Sequence, residues 1–118
     1  MRRAPNAFPP ARRIRRRGEF QHVFDTGRRV HGRLLTVVGS RAKGPTARLG
    51  IVASRKIGNA VARNRAKRLI REVFRLEPGT AAGWDLVLIP KAALPTASFA
   101  EVAVDYRATV RRLTMSMR

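Results

Sequence analysis

Leu86-Val87-Leu88-Ile89, between Asp85 and Pro90-Lys91, places apolar side chains at four consecutive positions. Successive side chains of a strand point to opposite faces, so a strand with one wet face alternates apolar and polar, while an unbroken run needs cover on both faces. The run predicts a strand over Asp85–Lys91 that is buried on both sides. Its place after a helical segment predicts parallel pairing through a strand-helix-strand unit.

The other elements arrange themselves around that requirement. Phe20, Val23 and Phe24 recur at helical spacing before Gly27, which predicts a short helix over Gly18–Thr26. Val30–Val38 holds the β-rich stretch Leu34-Leu35-Thr36-Val37-Val38 and ends in the turn-prone Gly39–Thr46, with Gly44-Pro45. Arg48–Ser54 then alternates as a second strand, and the two are expected to form an antiparallel hairpin. Asn59 is placed to cap a helix over Ala60–Arg75, closed by Pro78-Gly79. Ser98 and Glu101 have capping-box spacing ahead of a stripe of Phe99, Val102, Ala103, Tyr106, Val110 and Leu113, which predicts a final helix packed on the core. The expectation is an α+β fold: a small mixed β-sheet with flanking helices, a helix-sheet sandwich containing a strand-helix-strand crossover. Residues 18–118 form one domain in this reading. Residues 1–17, with seven arginines, three prolines and little apolar patterning, form a basic, disordered arm.

Charge decides the class of partner. Against 26 Lys and Arg stand seven Asp and Glu, a formal net charge of +19 in 118 residues. Such a field repels itself unless a polyanion neutralises it, and nucleic acid does so through phosphate contacts that release condensed counterions. A membrane surface is the competing explanation, but no apolar segment approaches the ~20 residues of a spanning helix, and the N-terminus lacks the apolar region of a secretory signal. With no cysteine, disulfides and thiolate metal sites are excluded, which suits a cytoplasmic protein.

The basic residues are concentrated on one helix. At 100° per residue, Ala62, Ala66, Leu69, Ile70, Val73 and Phe74 fall in one arc; Asn64, Arg65, Lys67, Arg68, Arg71 and Arg75 fall opposite, and Arg63 sits at the border. A charged helix face is ordinarily a solvated one, but such faces mix signs to gain i,i+4 pairs, whereas this one carries the single acid Glu72. Arg63 and Arg65 also lie in the first turns, where the helix dipole disfavours cations by about 0.3–1 kcal/mol each. A docked phosphate backbone reverses both penalties, and Arg55 and Lys56 just before the helix extend the patch.

The stretch Ser54-Arg55-Lys56-Ile57-Gly58-Asn59-Ala60-Val61-Ala62-Arg63-Asn64-Arg65-Ala66-Lys67-Arg68-Leu69-Ile70-Arg71-Glu72 resembles the signature of the bacterial ribonuclease P protein family, including its Arg-Asn-Arg motif. The resemblance spans about residues 14 to 115, with Phe20 and Phe24 matching a Phe-x-x-x-Phe in the family's first helix. It implies a left-handed strand-helix-strand crossover, where general statistics favour the right-handed one. It also implies a protein subunit of an RNA-catalysed endoribonuclease that matures the 5′ end of tRNA, with a catalytic RNA subunit and precursor tRNA as partners. Magnesium is held mainly by the RNA in this picture. Carried over by position, RNA contact falls on Arg63, Asn64, Arg65, Lys67, Arg68 and Arg71; a cleft for the single-stranded 5′ leader falls on Phe20, Phe24 and Thr36. The family often has aromatic residues along its first long strand for stacking, and Leu34-Leu35-Thr36-Val37-Val38 has none.

No catalytic residues are expected in the chain itself. His22 and His31 have no partner recognisable in the sequence, and Glu19, Asp25, Glu72, Glu77, Asp85, Glu101 and Asp105 are scattered without metal-ligand spacing. Two rivals remain: a ribosomal or RNA-chaperone-like binding protein, which explains the charge equally well but not the long signature around Asn64, and a self-sufficient nuclease, a different class altogether.

Overall fold

The structure, a computed structural model, describes residues 12–77 and 79–116. In chain order it contains α1 (Arg17–Thr26), β1 (Arg28–His31), β2 (Leu35–Arg41), β3 (Arg48–Ile51), α2 (Ala60–Leu76), β4 (Trp84–Pro90) and α3 (Phe99–Ser116). Short 3-10 turns at Arg55–Ile57 and Leu94–Thr96 precede α2 and α3. The four strands form one mixed sheet in the order β1-β2-β4-β3.

The apolar run lies inside the sheet. β4 pairs antiparallel with β2 along Leu35↔Pro90 to Arg41↔Trp84, and parallel with β3 along Arg48↔Asp85 to Ile51↔Leu88. Its alternation feeds two separate cores. Leu86 and Leu88 face a larger cluster with Ile70, Val73 and Phe74 of α2 and Val102, Tyr106, Val110 and Leu113 of α3. Val87 faces a smaller one with Ile14, Val23 and Val38, against which Phe20, Phe24 and Ile89 also pack. α2 and α3 therefore cover one face of the sheet, and α1 crosses the other.

Several expectations need correction. β2 and β3 do not form a hairpin: β4 separates them, because a strand apolar on both faces is best satisfied with a hydrogen-bonding neighbour at each edge. The single strand expected over Val30–Val38 is two strands, β1 and β2, around a turn at Gly32–Leu34. That turn is held by Asp105 of α3, whose carboxylate accepts from the backbone N–H groups of Arg33, Leu34 and Leu35 at 2.9, 2.8 and 3.2 Å. Phe99, expected on the core stripe of α3, is 40% exposed at the first position of the helix. The Ser98–Glu101 capping box is formed, with reciprocal bonds of 2.9 and 3.1 Å. α2 ends at Leu76, and of the Pro78-Gly79 expected to close it, Pro78 lies outside the described residues.

The basic arm also begins differently. Residues 1–11 lie outside the described residues, but from Arg12 onward the chain belongs to the fold. Arg13 bridges in parallel to Leu49, Ile14 N–H donates to Leu49 O at 2.8 Å, and the Ile14 side chain is 4% exposed. The Arg12 guanidinium stacks 4.9 Å from the Phe74 ring centroid. One isoleucine among arginines is enough to anchor the segment, since burying such a side chain is worth about 1.5–3 kcal/mol. Ile14→Ala is expected to lower stability by about 2–5 kcal/mol, measured as a shift of the urea midpoint at constant m.

An ion-pair network joins α1 to the sheet. Arg48 of β3 donates through Nε and Nη2 to both Asp85 carboxylate oxygens at 3.0 Å, and through Nη1 to Glu19 Oε2 at 2.8 Å. Glu19 Oε1 accepts from the backbone N–H groups of Arg15 and Arg16, each at 3.1 Å. The hydrogen bond from Arg48, aided by those two N–H groups, holds the Glu19 carboxyl down at about 2, against its ordinary 4.5. A carboxyl depressed in the folded state stabilises above its unfolded pKa, and that contribution is lost as pH falls through the folded value. Glu19→Gln should therefore lower the melting temperature at pH ~7, and the gap to the parent should close between pH ~4.5 and ~2. A gap independent of pH over that window would contradict the assignment.

Candidate RNA interface

The basic helix is built from a sharp entry. Gly58 adopts φ 135°, a left-handed-side conformation that side chains rarely tolerate, and the Asn59 carboxamide then caps α2 by accepting from Ala62 N–H at 3.0 Å. Ala66, Ile70, Val73 and Phe74 are buried beneath the helix. Arg68 and Asn64 project away from this contact and are exposed. Arg63 is half-buried and donates to Gly58 O at 3.0 Å, bracing the entry turn.

The two edges of the face behave differently. On one edge Arg65 donates through Nε to Pro95 O at 2.6 Å, tying α2 to the 3-10 turn before α3. On the other, Lys67 and Arg71 line a groove of about 230 Å³ together with Arg13, Ile14, Arg15, Phe20, Leu49, Gly50 and Ile51. Arg13 and Arg15 are additions to the sequence-derived site. Only Ile14 between them hinted that this segment returns to the sheet. Arg55 and Lys56 are exposed on the 3-10 turn ahead of α2, which Ser54 caps by accepting from Lys56 N–H at 3.3 Å.

The electrostatics follow from where the acids went. Asp85 and Glu19 hold Arg48; Glu72 pairs with Arg75; Glu77 holds Arg107 at 3.0 Å. Asp25 accepts from Gln21, Glu101 caps α3, and Asp105 clamps the β1–β2 turn. All seven acids of the chain are thus engaged in its own architecture. Lys67, Arg68, Arg71, Arg55 and Lys56 make no ion pair among the described residues. A surface of this kind takes a phosphate backbone without first breaking internal salt bridges.

The residues that the resemblance assigns to a leader cleft lie on the α1 face of the sheet. Phe20 lies over Gly50 so closely that a Cβ there would come within 2.6 Å of the ring, and Phe20 and Phe24 are both half-buried against the smaller core. Thr36 is buried on the same face, paired across the sheet with Ile89 and with His31. α1 covers the row containing Val38, Val87 and Gly50, and the neighbouring row, with His31, Thr36 and Ile89, lies beside it on the same face of the sheet.

Every carboxylate is engaged as described, and among the described residues no three His, Asp or Glu side chains converge as metal ligands. Among the described residues no helix is long and apolar enough to cross a membrane.

Comparison with known proteins places these features in context. A family model described as Ribonuclease P matches residues 8–114. The chain is similar to the ribonuclease P protein component of Desulfovibrio desulfuricans, with 40% identity over 114 residues that cover 90% of this chain and 85% of that protein. It is likewise 41% identical over 91 residues to that of Syntrophus aciditrophicus, covering 76% of each. Among solved structures, the RNase P protein from Thermotoga maritima superimposes with a TM-score of 0.77 at 32% identity, over 85% of this chain and 96% of that one. The Staphylococcus aureus RNase P protein gives 0.76 at 29% identity, over 85% and 93%.

Proposed function

Because this chain belongs to the ribonuclease P protein family, we propose that it binds a catalytic RNA through the basic face of α2 and supports maturation of the 5′ end of precursor tRNA in the cytoplasm. The observation that carries the reading is the internal engagement of all seven acids, which leaves Lys67, Arg68 and Arg71 unneutralised on one helix. Asn64, Arg63, Arg65, Arg55 and Lys56 complete the contact surface. The groove between α2 and the Arg13–Arg15 segment continues it toward α1.

The 5′ leader of the precursor is assigned to the cleft of Phe20, Phe24 and Thr36. The protein's part is electrostatic: it holds two RNA segments whose phosphates repel each other, so that the scissile bond stays docked. Cleavage itself, with the magnesium it requires, is assigned to the RNA.

The test uses precursor tRNA and three reactions: protein alone, catalytic RNA alone, and the two together. Cleavage at the 5′ end by the RNA, enhanced by the protein at low magnesium, is the expected pattern. Cleavage by rigorously RNA-free protein would overturn the proposal.

A further inference from the structure

The row of Ile89, Thr36 and His31 beside α1 ends on the edge strand β1 in a polar cluster. Along this edge strand Val30 turns to the larger core, whereas Arg29 and His31 lie on the α1 side, opposite Val38 and Thr36. His31 is exposed, and its Nδ1 lies 3.0 Å from Thr36 Oγ1. That bond orients the imidazole, and Nε2 bonds nothing among the described residues. Arg112 of α3 donates to the His31 carbonyl at 2.8 Å, holding the strand from behind. The Arg29 guanidinium stands 6.0 Å from the Phe24 ring centroid. The nearest acid in sequence, Asp25, is taken by Gln21.

This end of the α1 face thus presents an exposed imidazole oriented by Thr36, a guanidinium near an aromatic ring, and a hydrogen-bonding nitrogen. Single-stranded RNA is gripped by such parts, with bases on flat π surfaces and phosphates on nearby cations. β2 itself offers no aromatic side chain.

We propose that His31 and Arg29 bind one nucleotide of a single-stranded RNA at the β1 end of the cleft, the imidazole stacked on its base and the guanidinium on its phosphate. This inference rests on the reading of the cleft as the leader site. Thr36 acts as a positioning residue, through its bond to Nδ1.

The holoenzyme, reconstituted from the full chain and its catalytic RNA, is titrated with two precursor tRNAs, one with a long single-stranded leader and one with a single-nucleotide leader. His31→Ala is expected to weaken binding of the long-leader precursor about tenfold, the worth of one stacked base. The same variant should show no such loss with the short leader. His31→Phe, which keeps a flat ring, should retain most of the affinity, and Arg29→Ala should flatten its salt dependence. Equal losses on both precursors would make His31 merely structural, and an unchanged long-leader affinity would remove it from the site; either overturns the inference. If the parent holoenzyme discriminates by leader length and His31→Ala does not alter this, only the inference falls. If the parent binds both precursors equally, the leader reading falls with it.

Discussion

Alanine at Lys67, Arg68 and Arg71 together is expected to lower affinity for the catalytic RNA by roughly 100- to 1000-fold at ~0.1 M salt, with no loss of folding stability. Each side chain is free to make a charge-assisted hydrogen bond to phosphate, and removing three such bonds at about 1–1.5 kcal/mol each produces a drop of that size. The salt dependence gives a second reading of the same face. If it neutralises roughly five phosphates, log K falls against log salt with a slope of about −3.5 to −4.5, and the triple variant should flatten this by about 2–3. Stability stays level or rises slightly, because three like charges on one helix no longer repel. Arg65→Ala makes the contrast: its bond to Pro95 O braces α2 against the turn before α3, so this variant should lose about 0.5–1.5 kcal/mol of stability as well as affinity. The checks are affinity titrations at several salt concentrations and a denaturant midpoint for each variant. Full affinity in a folded triple variant would move the RNA site off α2.

Phe74→Ala should have the opposite signature, costing about 3–5 kcal/mol of stability and weakening RNA binding only through unfolding. Phe74 is 1% exposed, packed between the sheet and α3, and its ring carries the Arg12 guanidinium. The cavity left by its removal is bounded by β-strands that cannot collapse into it without breaking register. Against a total stability of about 5–15 kcal/mol for a domain of this kind, that loss leaves little margin at physiological temperature. Urea unfolding should show the midpoint falling with m unchanged, and affinity extrapolated to the folded fraction should match the parent. A folded variant with intrinsically weak binding would mean that Phe74 also shapes the RNA surface.

What is legible in the sequence is whatever is local. α2 can be placed to within one residue because its cap, its stripe and its basic arc all lie within its own residues, and the capping box of α3 has the same character. The α1–sheet pairing of Phe20 with Gly50 and the clamp of Asp105 on the β1–β2 turn connect residues 30 and about 70 positions apart, and nothing in either neighbourhood announces the other. The hairpin expectation fails for a different reason. An apolar run already implies a central β4, and a central β4 separates β2 from β3, so local adjacency along the chain misleads where burial does not. Arg13 and Arg15 are hidden for a compositional reason: five arginines around Ile14 outweigh one buried side chain in any averaged pattern.

The central position of β4 sets the order in which the molecule can be made. β1 and β2 are joined by a tight turn and can pair as soon as they leave the ribosome, but β3 has no strand to bond until residues 84–90 have followed. α2 is synthesised before β4, so its apolar side emerges before the strand that carries Leu86 and Leu88 beneath it. During that interval the nascent chain carries an open sheet edge, the kind of surface that invites aggregation. It also carries an unneutralised cationic helix in the midst of cellular RNA. The late arrival of a seven-residue strand, followed by the helix that completes its larger core, thus sets when this chain stops being an indiscriminate polycation and becomes a shaped one.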